Sequence, residues 1–168
     1  MHISACGTAE LPALTELYRD AFPDEDLVPL IKKLVGHPST SLALVAKKAG
    51  KIIGHIHYSA CELASTKPVL LGPLAIASDH QRQGVGTALI RDAQSKLDAA
   101  GVSHIVVLGD PNYYGRHGFA AETSIKPPYD LPEEWAGAWQ SLALGGALAP
   151  SGTLIVPEPW QDPKLWGA

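Results

Sequence analysis

The stretch "HQRQGVGTALI", His80–Ile90, decides how the chain is read. Ahead of it runs "VLLGPLAIAS" (Val69–Ser78), apolar almost throughout, as a strand buried on both faces should be. Behind it the apolar residues fall at Val85, Ala88, Leu89, Ala93, Leu97 and Ala100, one helical face that stops at Gly101. The joint holds two glycines and an arginine but no good side-chain cap. Gln83 and Gly84 cap poorly, and Ser78 and Asp79 lie too far upstream of Val85. Unpaired amides at the positive end of a helix, with a glycine that lets a ligand approach the backbone, make an anion site. Arg82 adds a fixed charge, and Gln81, Gln83 and Thr87 add donors. A pyrophosphate is the expected occupant; a tight strand-to-helix turn with no ligand is the plain alternative.

Elements alternate along the rest of the chain. "HISACG" is a short strand, and "ELPALTELYRDAF" carries Leu11, Leu14, Leu17, Tyr18 and Ala21 at helical spacing. "EDLVPLIKKLVG" is a second helix, ending at Gly36. "SLALVAKKAGKIIGHIHYSACEL" reads as two strands around a turn at Lys48-Ala49-Gly50, and "HIVVL" (His104–Leu108) as another buried strand. "NYYGRHGF" reads as a helical turn leading into a strand at Phe119. Asp130 is expected to cap a helix over "LPEEWAGAWQSLAL", with Pro132 early and Glu133-Glu134 in its first turn. "TLIVPEPW" is expected to be a last strand. The pattern predicts one mixed α/β domain over residues 1–168.

Composition narrows the function classes. A net charge of −4 with no basic cluster argues against a nucleic-acid-coating surface. No apolar run reaches the ~18 residues of a membrane span, and the N-terminal "MHISACGTAELP" does not read as a signal peptide. Cys6 and Cys61 form neither a disulfide framework nor a metal spacing. A cytoplasmic protein without a metal, nucleic-acid or membrane partner is expected.

The glycine turn ends in neither Gly-Lys-Ser nor Gly-Lys-Thr, so it is no Walker loop. Leu89 stands where a dinucleotide fingerprint needs its third glycine. Gln81, Gly84 and Gly86 do fill Gln/Arg-x-x-Gly-x-Gly/Ala, and the turn resembles the coenzyme A pyrophosphate loop of the GNAT acetyltransferase superfamily. "GPLAI" ahead of it (Gly72–Ile76) looks like that family's fourth strand. "HIVVLGDPNYYGRHGF" looks like its fifth strand and the Asn and Tyr-Tyr-x-x-x-Gly-Phe segment beyond. The likeness is strongest from Val69 to Phe119, and a "PPYDLPEEW" tail segment is similar to that of some bacterial members.

The resemblance implies a twisted mixed sheet with helices on both faces and a splay between the fourth and fifth strands. It implies that Leu74, Ala75 and Ile76 meet the pantetheine arm and thioester of acetyl-CoA. Gln81, Arg82, Gln83, Gly84, Val85, Gly86 and Thr87 would cradle the pyrophosphate, and Asn112 and Tyr114 would reach the coenzyme. It also implies direct attack of an amine on the thioester, with Tyr114 as the acid that protonates the leaving thiolate. Tyr113 is expected to pack.

The general base stays open among Glu62, His55, His57, Asp24, Glu25, Asp26 and a water chain. His55 and His57 share a strand face but have no third metal ligand. Trp135 and Trp139, four apart, are expected to share a helix face that serves the core or a partner first and a substrate wall second. The apolar tail is compatible with a homodimer. An N-acetyltransferase acting on a small-molecule or protein amine is the leading reading. A non-catalytic acyl-CoA sensor and a nucleotide-binding regulatory domain are the alternatives.

Overall fold

The computed structural model describes residues 1–148 and 150–168. Nine strands and four helices are described: β1 His2–Ala5, α1 Leu11–Ala21, α2 Val28–Leu34, β2 Thr40–Lys48, β3 Lys51–Ala60, β4 Pro68–Ile76, α3 Val85–Ala99, β5 His104–Leu108, α4 Pro111–Tyr114, β6 Ala120–Ala121, β7 Ile125–Lys126, β8 Trp139–Ala143 and β9 Gly152–Thr153. Seven strands form one mixed sheet in the order β1-β2-β3-β4-β5-β8-β6, and β7 and β9 pair separately. The chain divides into two compact units, Met1–Tyr58 with Pro73–Lys96, and Ser59–Gly72 with Leu97–Ala168.

In the first unit β1 runs antiparallel to β2, with His2 opposite Lys47 and Ala5 opposite Leu44. β2 turns into β3 through Ala49 and Gly50, both at positive φ (51° and 77°). Two successive left-handed residues are what a two-residue hairpin requires. α1 buries Leu14, Leu17 and Tyr18, three and four residues apart, and α2 buries Val28, Leu30, Ile31 and Leu34. α3 comes so close to β3 that a Cβ on Gly54 would lie 2.9 Å from Val85 Cγ1 and 3.0 Å from Leu89 Cδ1. Gly54 thereby fixes where the first turn of α3 stands.

In the second unit β4 pairs in parallel with β5 over Pro68–Leu71 and His104–Val107. The end of α3 has the paired bonds of a Schellman cap: Val102 N–H donates to Leu97 O and Gly101 N–H to Asp98 O, with Gly101 at φ +81°. The other edge of β5 is covered along its whole length by β8, antiparallel, with Leu108 opposite Trp139. The core joins Leu70 and Val106 to Ile125, Trp139, Leu154, Val156 and Trp166.

Two expectations are corrected here. "LPEEWAGAWQSLAL" is not one helix: a 3₁₀ turn covers Glu133–Ala138, its N-cap is Pro132 rather than Asp130, and Trp139–Ala143 is β8. The reason is tertiary. β5 needs a partner on that edge, and Trp139 Nε1 donates to Ile125 O at 2.7 Å while Gln140 Nε2 donates to Gly109 O at 3.0 Å. Trp135 and Trp139 therefore share no helix face; Trp135 is 37% exposed and Trp139 only 3%. "TLIVPEPW" holds little strand: β9 ends at Thr153, Ile155 makes an isolated bridge to Glu62, and Glu158–Trp160 is a 3₁₀ turn between prolines. Smaller shifts place Ser78 in a 3₁₀ turn beyond β4 and start β6 at Ala120 rather than Phe119.

Candidate functional site

Within the first unit the structure joins the end of β4 to the glycine turn. Ala77 N–H donates to Ile53 O, and Ser78–His80 makes a single 3₁₀ turn. From there Gln81–Gly84 runs exposed into α3. Arg82 (φ 61°) and Gly84 (φ 83°) are both left-handed, with Gln83 between them. Such alternation turns successive N–H groups toward one side and forms a nest for an anion. Arginine in this conformation costs about 1–2 kcal/mol relative to an ordinary backbone, a strain the turn holds at an exposed position.

A Cβ on Gly84 would meet no atom within 4 Å, so the space over the turn is open. The first bond of α3 from this turn runs from Ala88 N–H to Gly84 O. Val85 turns its side chain into the core, which leaves its amide as the group it can offer to a ligand.

Three side chains brace the turn. Gln81 Nε2 donates to Ile76 O at 3.2 Å, and Gln83 Nε2 to Asp79 O at 3.1 Å. Both amide side chains, expected to donate outward, are engaged with the turn's own carbonyls. The third brace was not visible in the sequence. Asp20, on α1, accepts from Ser78 N–H at 2.8 Å and from Ser78 Oγ at 2.7 Å. These bonds hold its carboxyl below the usual carboxylate range. Asp20 and Ser78 lie 58 residues apart, and no local pattern announces such a pair. Leu74 and Ile76 are half-buried and Ala75 is buried.

In the second unit Asn112 and Tyr114 sit together on α4. Asp110 caps it by accepting from Asn112 N–H at 2.9 Å, with Pro111 in the first turn. Asn112 is exposed. The Tyr114 ring packs edge-on to Tyr113 and Phe119, and against the bare Cα of Gly109, where a Cβ would lie 2.5 Å from Tyr114 Cε2. Burial, then the neighbouring Tyr113, push its hydroxyl above the usual phenol range, so it stays protonated. Tyr113 packs as expected, between Tyr114 and His117 and under the Arg116 guanidinium.

The candidate bases separate by environment. His55 and His57 are fully buried on β3. The Tyr18 hydroxyl lies 2.7 Å from His55 Nδ1, whereas His55 Nε2 and His57 Nδ1 find no hydrogen-bond partner among the described residues. Burial, with the neighbouring His57, lowers His55 to about 3; burial, with His37, lowers His57 to about 4. Both rings are neutral. Asp24, Glu25 and Asp26 line an open cleft of about 860 Å³ with Tyr18 and Phe22, although Asp26 already accepts from Val28 N–H. Glu62 is exposed in the second unit. Among the described residues no three His, Cys, Asp or Glu side chains come together as metal ligands, and no helix is long and apolar enough to cross a membrane.

A strand, a left-handed glycine turn and a helix, set in a mixed seven-stranded sheet, define an α/β class. Residues 11–119 match the model of the acetyltransferase (GNAT) family. The chain belongs to that family. It is 36% identical over 111 residues to the uncharacterized N-acetyltransferase YjhQ of Escherichia coli K12, covering 62% of this chain and 61% of that one. It is 28% identical over 131 residues to the uncharacterized N-acetyltransferase YhbS of the same strain, 76% of each chain. The solved structure of E. coli YhbS in complex with CoA superposes with a TM-score of 0.83 at 23% identity, covering 96% of this chain and 92% of that one. A GNAT family acetyltransferase from Brucella melitensis in complex with acetyl-CoA gives 0.76 at 24% identity, covering 95% and 97%. These structural likenesses carry the fold.

Proposed function

We propose that the protein is a single acyltransferase domain that moves the acetyl group of acetyl-CoA to a primary amine by direct attack. The exposed turn at Arg82–Gly84 carries this reading, with Arg82 and Gly84 left-handed at the N-terminal end of α3 and no atom within 4 Å of where a Cβ on Gly84 would stand. That arrangement fits a pyrophosphate better than it fits a merely structural joint, because a structural joint has no need of a strained arginine. Gln81 and Gln83 hold the turn's shape while Arg82, Gly84, Val85, Gly86 and Thr87 bind. The relatives named as N-acetyltransferases and the neighbours solved with CoA and acetyl-CoA support the coenzyme.

The coenzyme supplies an activated thioester. Leu74–Ile76 offer backbone groups to the pantetheine arm and an N–H to the developing oxyanion, a contribution of about 3–4 kcal/mol for one well-placed donor. The neutral amine nitrogen forms the C–N bond as the C–S bond breaks. Tyr114, protonated until the C–S bond breaks, gives its proton to the thiolate and regains one from water, and Asn112 contacts the coenzyme. The amine's own proton leaves through water or a cleft carboxylate, because neutral His55 and His57 are weak bases.

Calorimetric titration with acetyl-CoA and with CoA tests the reading. Binding of both is expected, with thermal stabilisation of roughly 2.7 kcal/mol at ~100 times the dissociation constant. No response to either ligand overturns it. Release of thiol with a panel of amines then separates an enzyme from a sensor.

A further inference from the structure

We infer that Gly109 is the positioning residue of Tyr114: its bare Cα, held in place by Gln140, fixes where the Tyr114 hydroxyl stands. The inference rests on the reading of Tyr114 as the acid that protonates the thiolate. Gly109 follows β5 directly, and every group in this arrangement lies in the second unit. Its backbone does not call for a glycine, because its φ lies outside the left-handed region. What calls for it is the ring. A Cβ would lie 2.5 Å from Tyr114 Cε2, 3.0 Å from Cδ2 and 3.5 Å from Cζ, so any side chain would take space that the phenol already fills.

Both backbones are pinned. Gly109 N–H donates to Ala138 O at 2.9 Å, and Gly109 O accepts from Gln140 Nε2 at 3.0 Å. Gln140 is buried, and its amide also donates to Ala138 O at 3.3 Å, so one side chain ties the end of β5 to the start of β8. The family model ends at residue 119, so this lock comes from a segment outside it. Tyr114 N–H donates to Asp110 O at 3.0 Å, and Tyr114 O accepts from Phe119 N–H at 3.2 Å. The Tyr114 side chain is therefore the part that can yield. A methyl at position 109 would push the ring back by about 1 Å before an ordinary contact returned. The hydroxyl, at the far end of that ring, moves with it. A misplacement of ~1 Å can cost ~100-fold in rate. Here the loss is bounded by the ~10-fold expected when the hydroxyl is removed altogether.

The test measures acetyl-CoA affinity and thiol release, with the fastest of a panel of primary amines or with water, for the wild type, Gly109→Ala, Tyr114→Phe and the double variant. Gly109→Ala should bind acetyl-CoA within ~2-fold of the wild type while thiol release falls ~10-fold. The double variant should be no slower than Tyr114→Phe alone, since a ring without a hydroxyl has no proton donor left to misplace. A Gly109→Ala that keeps the wild-type rate overturns the inference. So does a double variant whose losses multiply, because the methyl then acts on something other than the acid. Where Gly109→Ala fails to fold, Gln140→Met decides: it releases the Gly109 carbonyl and leaves the Cα bare. It should slow the wild type ~3-fold or more and leave Tyr114→Phe unchanged. A wild-type rate, or an equal loss in both backgrounds, overturns the inference. Tyr114→Phe at the wild-type rate, or a wild type that binds acetyl-CoA but releases no thiol, removes the acid reading and this inference with it. A wild type that binds neither acetyl-CoA nor CoA overturns the acetyl-CoA reading itself.

Discussion

The glycine turn and the interior of β3 belong to the same compact unit, and they treat polar groups in opposite ways. At Arg82–Gly84 the chain is exposed, with Arg82 and Gly84 left-handed, and side chains only brace it. On β3 two imidazoles are sealed from water, and one nitrogen of each has no partner among the described residues. Exposed amides are free to exchange water for a ligand at small cost. Buried imidazoles are barred from taking a proton, which costs several kcal/mol without solvent or a counter-charge. A polar cluster that looks reactive in sequence is thus inert where the sheet covers it, and a stretch with no catalytic side chain becomes the working part.

Acid should bring the largest effect. Folding lowers the affinity of His55 and His57 for protons, so stability is full above the ordinary imidazole value near 6.5 and falls as pH drops below it. The loss levels off near about 4 for His57 and near about 3 for His55, where each ring protonates in the fold. Each ring contributes up to ~1.4 kcal/mol per pH unit well below 6.5, or about 3 kcal/mol for the pair between pH 6.5 and 5. Asp20 and Glu122, both held below the usual carboxylate range, act only at lower pH. Urea midpoints at pH 7.5 and 5.0 measure the change. Equal midpoints would mean that water reaches the two rings.

Next comes Gly84→Val. Valine resists the left-handed backbone but meets no neighbour there, so the fold should survive at a cost of about 1–2 kcal/mol. Acetyl-CoA affinity, measured by calorimetry, should fall ~100-fold as the amides turn away and the branched chain blocks approach. Near-normal affinity would make the turn a structural joint.

Tyr114→Phe tests whether a half-buried group can still do chemistry. Its ring contacts with Phe119 and Gly109 persist, so coenzyme affinity should change little while turnover falls ~10-fold. Tyr113→Phe is the control and should keep its rate. Equal rates for wild type and Tyr114→Phe across the pH range would make Tyr114 a packing residue, like His55. The smallest effect belongs to Gln83→Ala, which removes one exposed bond to Asp79 O. A loss of ~2–5-fold in affinity is expected, since an exposed neutral hydrogen bond contributes about 0.5–1 kcal/mol.

The turn, α3 and the buried β4 and β5 were legible because local rules govern them: helical spacing, continuous apolar runs and glycine at a left-handed position. The hairpin at Ala49-Gly50 was legible for the same reason. Asp20 was not, because its partner Ser78 is distant in sequence and an acidic residue late in a helix reads as a solvated face. Trp139–Ala143 was misread because its local signals, an acidic first turn and tryptophans four apart, do favour a helix. The demand that overrides them is the open edge of β5, which belongs to another part of the chain. The partition of His55, His57 and the cleft carboxylates into neutral and solvated groups likewise needed the packing of α1 on the sheet.

The late arrival of β8 has a consequence during synthesis. When Leu108 has left the ribosome, the roughly 35 residues still to come take about 2–7 s at ordinary translation rates. Throughout that interval "HIVVL" stands with one edge unpaired, a template for a second nascent chain. A chain cut after Gly137 should therefore aggregate at concentrations where the full chain stays monodisperse, by light scattering. A chain that runs on to Ala143, and so carries β8, should scatter less than the one cut after Gly137.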